Sequence, residues 1–334
     1  MAYRIKEHRI PPLELSQNSI DGLGFLWLEI TQKCNLTCAH CYVESSPRLP
    51  LLSELSLGDW LRVLSESADV GCKSVQFIGG EPTLHPHLDQ LIEYAAGNGF
   101  DFIEVFTNAT TLSLNRIDTF LRYKVNVACS FYSACGETHD QITGKKGSFD
   151  KTVEAIRKAV TSGLSLRVGI IEMDANKQNK KETIDFLRTL GVNKIGGDRV
   201  RSIGRGSNIR TNKEHKFGDL CGQCWRQKLC VTYNGQVYPC IMSRNHNVGN
   251  VRKQSLNAIL CSNELKAFRT NMKEHTERIR CWSGPCEPDI CGPDCDPASC
   301  EPCEPNDCNP GCYPGPGPCL RADKLYTPSF YSHN

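Results

Sequence analysis

The chain of 334 residues lacks several features that would place it in common classes of protein. It has no apolar run close to the roughly twenty residues of a membrane helix, and its first residues lack the apolar core of a signal peptide. Its net charge is only +2, and Lys and Arg are spread along the chain without a basic stripe. These absences predict a cytoplasmic protein that has neither a membrane nor a nucleic acid as its partner.

Cysteine, in contrast, is abundant, with 20 residues in the chain. In a reducing compartment so many thiols indicate metal ligation rather than disulfides. Three of them, Cys34, Cys38 and Cys41, have the spacing Cys-x-x-x-Cys-x-x-Cys. Because a four-iron cluster asks for four ligands, three thiolates leave one iron open to a substrate or cofactor. The spacing favours a catalytic iron–sulfur cluster over structural zinc, which would need a fourth Cys or His at zinc-ligand spacing.

Between residues 25 and about 200, short apolar runs alternate with longer amphipathic stretches. This pattern predicts repeated strand–helix units around a parallel sheet, an α/β fold. No Gly-x-Gly-x-x-Gly follows the first strand, so we expect a partial (β/α)6 TIM-like barrel rather than a Rossmann sheet. The predicted strands are 25–31, 74–79, 102–107, 125–131, 165–172 and 194–198, and the predicted helices are 56–70, 87–98, 113–123, 149–162 and 180–190.

Each of the first four predicted strands leads into an unusual polar or metal-binding sequence. These are the cysteine triad, Gly79-Gly80-Glu81-Pro82, Asn108-Ala109-Thr110 and Ser130-Phe131-Tyr132-Ser133, in strand order. Barrels of this kind carry their chemistry in the loops that follow the strands. Four such loops on one face therefore predict an enzyme.

Composition changes near residue 200. The short run Gly204-Arg205-Gly206 is interpreted as a linker, and residues 281–319 then hold nine Cys and ten Pro. Proline at this density excludes regular helix and sheet, so any order there must come from metals or crosslinks. The segments 286–295 and 303–312 have the same spacing of cysteines and similar sequences, which indicates a short internal duplication.

With the cysteine triad and Gly79-Gly80-Glu81-Pro82, the chain resembles the radical S-adenosylmethionine (radical SAM) enzymes over residues 25 to about 250. The resemblance implies that Cys34, Cys38 and Cys41 hold a [4Fe–4S] cluster whose open iron binds the amino and carboxylate groups of S-adenosylmethionine. Reductive cleavage of this cofactor would give a 5′-deoxyadenosyl radical that takes hydrogen from an unactivated carbon. The implied cofactor-binding residues are Gly79, Gly80, Glu81 and Pro82 near the methionine amine, Ser130, and Tyr42 beside the cluster or the adenine.

The chain departs from the pattern of many radical SAM relatives at two places. Ser130-Phe131-Tyr132-Ser133 stands where they read Ser-Leu-Asp-Gly, and the missing Asp weakens the resemblance to sulfatase maturases. An arginine that would pair with the cofactor carboxylate is absent near Thr143. Lys145 and Arg167 are the candidates to replace it.

Beyond the barrel the chain resembles the SPASM domain, the auxiliary-cluster extension of the same superfamily. Thirteen residues separate Cys221 from Gly235 and four separate Gly235 from Cys240, as in the opening pattern of that domain. The implied ligands of one or two auxiliary iron–sulfur clusters are Cys221, Cys240, Cys300, Cys303, Cys308, Cys312 and Cys319, with Cys281, Cys286, Cys291 and Cys295 competing for the same roles. We expect an N-terminal segment (1–24), the barrel (25–205), an irregular Cys-rich auxiliary iron–sulfur domain (206–320) and a tail (321–334).

The resemblance implies a peptide-modifying maturase, an oxidoreductase that abstracts hydrogen from a residue of a ribosomally synthesised peptide to form a crosslink, an oxidised residue or an epimer. The expected partners are a precursor peptide or protein and an electron donor such as flavodoxin or ferredoxin. Since only 33 residues precede Cys34, docking would rely on a separate leader-binding protein or on the barrel and extension themselves. The alternatives are an anaerobic sulfatase-maturase-type enzyme, a small-molecule radical SAM dehydrogenase, and a non-catalytic metal-binding scaffold.

Overall fold

A computed structural model describes residues 21–52, 54–209, 217 and 220–283 of the chain. The strands are β1 (Phe25–Thr31), β2 (Ser74–Gly79), β3 (Phe102–Thr107), β4 (Asn126–Phe131), β5 (Leu166–Glu172), β6 (Lys194–Arg199), β7 (Lys228–Val231), β8 (Gln236–Tyr238) and β9 (Gly249–Asn250). The helices are α1 (Leu57–Asp69), α2 (Leu88–Gly97), α3 (Leu114–Arg122), α4 (Gly136–Thr143), α5 (Ser148–Thr161), α6 (Lys180–Thr189), α7 (Leu256–Leu260) and α8 (Asn263–Ser283).

The first six strands confirm the predicted α/β fold. Each pairs in parallel with the next, and the sheet runs in the order β6-β5-β4-β3-β2-β1-β7-β8-β9. Within the described residues β6 does not pair with β1, so the (β/α)6 barrel is partial. Parallel strands place all their carboxyl ends at one edge, which is where the loops carrying the predicted motifs meet.

The helices cover the outer face of the parallel strands because each has one apolar face. Helix α1 is an example: Ser56 and Asp59 form a capping box at its start, and Trp60, Val63 and Leu64 point into the core. These three side chains are fully buried. Burial of a large apolar side chain contributes about 1.5–3 kcal/mol, so this layer stabilises the packing of the helices on the strands.

The C-terminal extension, residues 220–283, continues the barrel sheet instead of forming a separate layer. Strand β7 pairs in parallel with β1, and β8 and β9 follow as antiparallel strands. Buried Arg269 of α8 donates hydrogen bonds to the carbonyl oxygens of Gly22 (3.0 Å) and Lys228 (3.3 Å). Residues 228–283 are therefore more regular than we expected, and the proline-rich segment from residue 284 onward lies outside the described residues.

No helix in the described part of the chain is both long and apolar enough to cross a membrane.

Candidate functional site

The four predicted loops converge on one cavity of about 170 Å³ at the carboxyl edge of the barrel. Side chains and backbone from the loops after β1, β2, β3 and β4 form its walls together with the end of β6 and the first residues after β8. The predicted residues in this lining are Cys34, Cys38, Cys41, Tyr42, Gly79, Gly80, Asn108 and Ser130. The structure thus brings together sequence motifs that lie up to 96 residues apart, from position 34 to position 130.

The first cysteine site consists of Cys34, Cys38 and Cys41. Cys34 Sγ accepts hydrogen bonds from the Leu36 amide (3.4 Å) and from Asn108 Nδ2 (3.6 Å). Burial, with the Glu81 carboxylate nearby, raises the pKa of Cys34 to about 12, and burial beside the other two thiols raises the pKa of Cys38 to about 12. Such thiols stay protonated at neutral pH unless a bound cation compensates the thiolate charge, as an iron cluster would.

One further observation, the unpartnered polar atoms of two side chains among the described residues, fits a bound group in the cavity. Across the described residues no three His, Cys, Asp or Glu side chains are gathered as ligands of a single metal ion. In a cluster each cysteine ligates a different iron, so the sulfurs need not converge on one point. His40 Nδ1 and Ser45 Oγ also line this cavity, buried and without a hydrogen-bond partner within the described part of the chain. Buried polar atoms of this kind call for a partner that a ligand can supply.

Gly79 and Gly80 bring the loop after β2 against the cysteine loop by direct backbone contact. The Gly80 amide donates to the Thr31 carbonyl oxygen (2.8 Å), and the Glu81 amide donates to that of Lys33 (2.9 Å). A Cβ atom on Gly80 would lie 2.2 Å from the Lys33 carbonyl oxygen, and one on Gly79 (φ +142°) 2.2 Å from that of Thr31. No side chain fits at either position, so the two glycines determine how closely the cofactor loop and the cysteine loop approach.

Glu81 and Pro82 are the predicted cofactor residues that do not line the cavity. The Glu81 carboxylate is fully buried and accepts hydrogen bonds from the Thr83 hydroxyl (2.6 Å), the Thr107 hydroxyl (2.6 Å) and the Asn108 amide (2.7 Å). Burial raises the pKa of Glu81, and these donors oppose that rise. Its side chain therefore joins the loops after β2 and β3, and a contact with the methionine amine stays a prediction.

Ser130 and Tyr132 occupy the end of β4, where the chain departs from the pattern of its relatives. Both line the cavity, and the Tyr132 hydroxyl contacts the side chains of Ser130 and Cys38. The Tyr132 ring also lies edge-on to the His40 ring, with 5.0 Å between centroids. An aromatic side chain thus packs against the cysteine loop where many relatives carry Asp.

The candidates to pair with a cofactor carboxylate, Lys145 and Arg167, lie outside the cavity lining. Lys145 Nζ donates to the Asn35 carbonyl oxygen (3.2 Å), and Arg167 forms a two-point ion pair with Glu104 (2.7 and 2.6 Å) inside the barrel. The structure does not support either as a replacement for the missing arginine. The arginines that do line the cavity are Arg199, Arg201 and Arg205.

Arg205 is a site residue that sequence reasoning missed, because its segment was interpreted as a linker. It lies in a turn at Gly204–Asn208. Its amide donates to the Cys41 carbonyl oxygen (3.0 Å), Nε to that of Cys38 (2.8 Å) and Nη2 to that of Ser45 (2.9 Å). This segment therefore clamps the cysteine loop, and no local pattern signals a contact between positions so far apart.

A second cysteine site lies where the extension meets the barrel and consists of Cys221, Cys224 and Cys240. Cys224 Sγ is 2.8 Å from Cys240 Sγ, and Cys221 contacts Cys224. The site borders a small cavity that Lys228 and Arg201 also line. Contact with Cys224 and the nearby Lys228 ammonium lower the pKa of Cys221, which favours its thiolate.

Cys221 and Cys240 were predicted ligands, whereas Cys224 was not. Ten residues separate Cys224 from Gly235, a spacing close to that of Cys221, and this signal was available in the sequence. The remaining predicted ligands, Cys300, Cys303, Cys308, Cys312 and Cys319, lie outside the described residues, as do Cys286, Cys291 and Cys295. Their assignment stays a prediction.

Models of two protein families match the chain. The Radical SAM superfamily model matches residues 28–193, which contain the first cysteine site. The SPASM model, an iron–sulfur cluster-binding domain, matches residues 221–291, which contain the second cysteine site. The two matched segments therefore coincide with the two sites that the structure assembles.

Curated relatives cover most of the chain. The antilisterial bacteriocin subtilosin biosynthesis protein AlbA of Bacillus subtilis is 27% identical over 77% of this chain and 65% of its own length. The Fe-coproporphyrin III synthase of Methanosarcina barkeri is 27% identical over 82% of this chain and 85% of its own length. A probable GTP 3′,8-cyclase of Methanopyrus kandleri is 30% identical over 65% of this chain and 80% of its own length. The chain thus spans slightly less than two thirds of AlbA and most of the other two.

Solved structures show the same fold. SuiB of Streptococcus suis bound to S-adenosylmethionine superposes with a TM-score of 0.62 at 16% identity, over 75% of this chain and 68% of SuiB. The structure of native anSMEcpe with bound AdoMet gives a TM-score of 0.59 at 15% identity, over 74% of this chain and 82% of that protein.

Proposed function

The chain belongs to the radical SAM superfamily and carries its SPASM domain, and on that premise we propose that it is a maturase that modifies a ribosomally synthesised peptide. The superfamily binds a [4Fe–4S] cluster and S-adenosylmethionine, and the SPASM domain binds auxiliary iron–sulfur clusters. The similarity to AlbA, a bacteriocin biosynthesis protein, over 77% of the chain supports a peptide as the substrate. A crosslink, an oxidation or an epimerisation are the proposed outcomes.

The observation that carries the proposal is the single cavity that Cys34, Cys38 and Cys41 share with the glycine pair and Ser130. When bound there, the cluster and S-adenosylmethionine together supply a 5′-deoxyadenosyl radical that takes hydrogen from carbon. Cys34, Cys38 and Cys41 would hold the cluster, and the close backbone contact at Gly80 would hold the cofactor loop beside it. Orphaned His40 Nδ1 and Ser45 Oγ would then gain polar partners.

The protein's own contribution is positioning and exclusion of water. Leu36, Ile78 and Phe106 give the cavity an apolar wall. Arg205 holds three carbonyl groups of the cysteine loop, which limits the movement of that loop. A reactive radical needs a site that holds the substrate carbon beside it, because otherwise it would react with other hydrogen donors before it reaches the substrate.

Two partners complete the proposal. A flavodoxin or ferredoxin would deliver the electron, and either a separate leader-binding protein or the barrel and extension themselves would dock the precursor peptide. The second cysteine site, which the extension places against the barrel, would accept or return an electron during product formation.

A second candidate is oxidation of a small molecule that bears carboxylates. The chain covers 85% of the Fe-coproporphyrin III synthase, more than it covers of AlbA. Three arginines from the end of β6 and the turn after it line the cavity, and Asp198 neutralises one of them, Arg201 (2.6 and 2.9 Å). Arginine is well suited to bind carboxylates.

The deciding experiment is incubation of the anaerobically reconstituted, reduced full-length protein with S-adenosylmethionine. Formation of 5′-deoxyadenosine supports the enzyme, and its absence would leave only a metal-binding scaffold. Adding a short peptide encoded beside its gene, or Fe-coproporphyrin precursors in a parallel reaction, then separates the two candidates. Loss of a pair of hydrogen atoms from the peptide, or deuterium gained from heavy water, identifies the maturase by mass spectrometry.

A further inference from the structure

Arg244, in the loop after β8, contacts one residue next to each of the two cysteine sites, Tyr42 beside Cys41 and Ile241 beside Cys240. Its Nε donates a hydrogen bond to the Ile241 carbonyl oxygen (2.8 Å), and its Nη2 donates to Glu29 Oε1 of β1. The guanidinium carbon also lies 5.3 Å from the centre of the Tyr42 ring and 5.2 Å from that of Tyr238. One side chain therefore joins the barrel, the cysteine loop and the extension.

The contacted residues are sequence neighbours of predicted cluster ligands. Tyr42 follows Cys41, and Ile241 follows Cys240. The Tyr42 hydroxyl donates to the same Glu29 oxygen that accepts from Arg244 (3.1 Å). The guanidinium of Arg244 and the carboxylate of Glu29 thus connect the residue that follows Cys41 with the residue that follows Cys240.

The pair is charged and largely enclosed. The Glu29 side chain is 2% exposed and that of Arg244 is 18% exposed. Burial opposes the charge on Arg244, but the Glu29 carboxylate raises the pKa of the guanidinium above its ordinary value. The two charges offset each other, so loss of Arg244 alone would leave the negative charge of Glu29 uncompensated and would disfavour the reduced form of a cluster bound nearby.

We propose that Arg244 is a positioning residue that couples the first cysteine site to the second: from the extension it orients the Cys41–Tyr42 segment, and it holds the backbone of Ile241 beside Cys240. The inference rests on the proposed function, because it needs a cluster at Cys34, Cys38 and Cys41. It goes beyond that function because it assigns to the extension an effect on the first cysteine site in addition to its effect on the second.

The test compares Arg244→Gln with a matched control, Arg62→Gln, in reconstituted full-length protein. Arg62 also ties the barrel to the extension, through the Val251 carbonyl oxygen (2.8 Å) and Glu66 (2.9 Å), but it lines neither cysteine cavity. We expect Arg244→Gln to move the midpoint potentials of both clusters to more negative values in titrations followed by electron paramagnetic resonance. We also expect it to weaken S-adenosylmethionine binding by roughly tenfold, as is typical for residues that orient metal ligands. Arg62→Gln should change neither quantity.

Arg244→Gln leaves a buried carboxylate without its ion-pair partner, which strongly destabilises a fold. The double variant Glu29→Gln with Arg244→Gln removes both charges and keeps the test usable. We expect it to regain thermal stability and potentials close to those of wild type, because the net charge of the pair is again zero, while the weaker cofactor binding persists.

The possible results separate the inference from the function on which it rests. If the wild type binds no cluster that cleaves S-adenosylmethionine, the proposed function fails. If the wild type is active but the cofactor affinity of the double variant equals that of wild type, Arg244 has no positioning role and only this inference is overturned.

Discussion

The two cysteine sites of this molecule are built in different ways. The first lies on a single short loop, and the loops after β2, β3, β4 and the turn at Gly204–Asn208 hold it from all sides. The second takes Cys221 and Cys224 from the segment before β7 and Cys240 from the residues after β8. A site made from one loop needs a scaffold to shape it, whereas a site made from separate segments also fastens those segments together.

This difference predicts that loss of the cysteines of the first site abolishes cleavage of S-adenosylmethionine but leaves the protein folded. Loss of a cysteine of the second site should in addition weaken the contact between the barrel and the extension.

The largest effect is expected from changing Cys34, Cys38 and Cys41 together to Ala. Formation of 5′-deoxyadenosine should fall below detection, because the cluster then has no protein ligand, while iron bound at the second site remains. Product analysis by chromatography and an iron assay check this. The exposed Cys261, which lies in neither site, provides the control, and Cys261→Ala should behave as wild type. Retained cleavage in the triple variant would refute the site.

Cys224→Ser should separate the two sites. We expect loss of the auxiliary iron and of product formation, while uncoupled cleavage of S-adenosylmethionine persists, because the first site keeps all three cysteines. Cys230→Ser is the comparison, since Cys230 is buried but lines neither cavity. It should lower the melting temperature without removing iron. Equal iron loss in both variants would show that Cys230 is a ligand too.

Gly80→Ala tests the scaffold of the first site. The added Cβ would lie 2.2 Å from a carbonyl oxygen of the cysteine loop, and the backbone must move to admit it. Overpacking of this kind costs about 3 kcal/mol of unfolding free energy, and cofactor binding should weaken with it. Gly97→Ala, where no atom lies within 4 Å of the added Cβ, is the control. If Gly80→Ala is as stable as Gly97→Ala, the loop after β2 and the cysteine loop can move apart without loss of stability.

Arg205→Gln should have the smallest of these effects. It removes two charged hydrogen bonds to the cysteine loop, those to Cys38 and Ser45, and we expect a loss of about 2 kcal/mol in unfolding free energy. Denaturant unfolding and calorimetric cofactor binding measure the two consequences. Arg188→Gln, at an exposed arginine that pairs with Asp185 at 3.6 Å, should be indistinguishable from wild type. If Arg205→Gln binds the cofactor as tightly as wild type does, the hydrogen bonds of Arg205 contribute to stability only and not to cofactor binding.

The first six strands were predictable to within one residue at each end, whereas β7, β8 and β9 of the extension were not predicted. Strands buried in a parallel sheet appear as short apolar runs such as Phe25–Thr31, all seven residues of which are buried. Helix α4 was not predicted, because Gly136–Thr143 is short and its polar sequence shows little apolar periodicity. Its ends are held by contacts with α5 and the cysteine loop, for example the Thr37 amide to the Thr143 carbonyl oxygen (3.0 Å).

Local patterns were sufficient for the order of the first six strands and for the family, because apolar periodicity and ligand spacing are properties of neighbouring residues. They could not show that Glu81 turns away from the cavity, that Cys224 meets Cys240, or that Arg205 and Arg244 reach the cysteine loop. Those contacts join residues between 16 and more than 200 positions apart, and their geometry depends on how the packed sheet places its strand ends. The spacing of cysteines therefore indicates the chemistry, whereas the tertiary fold determines which charges and hydrogen bonds surround it.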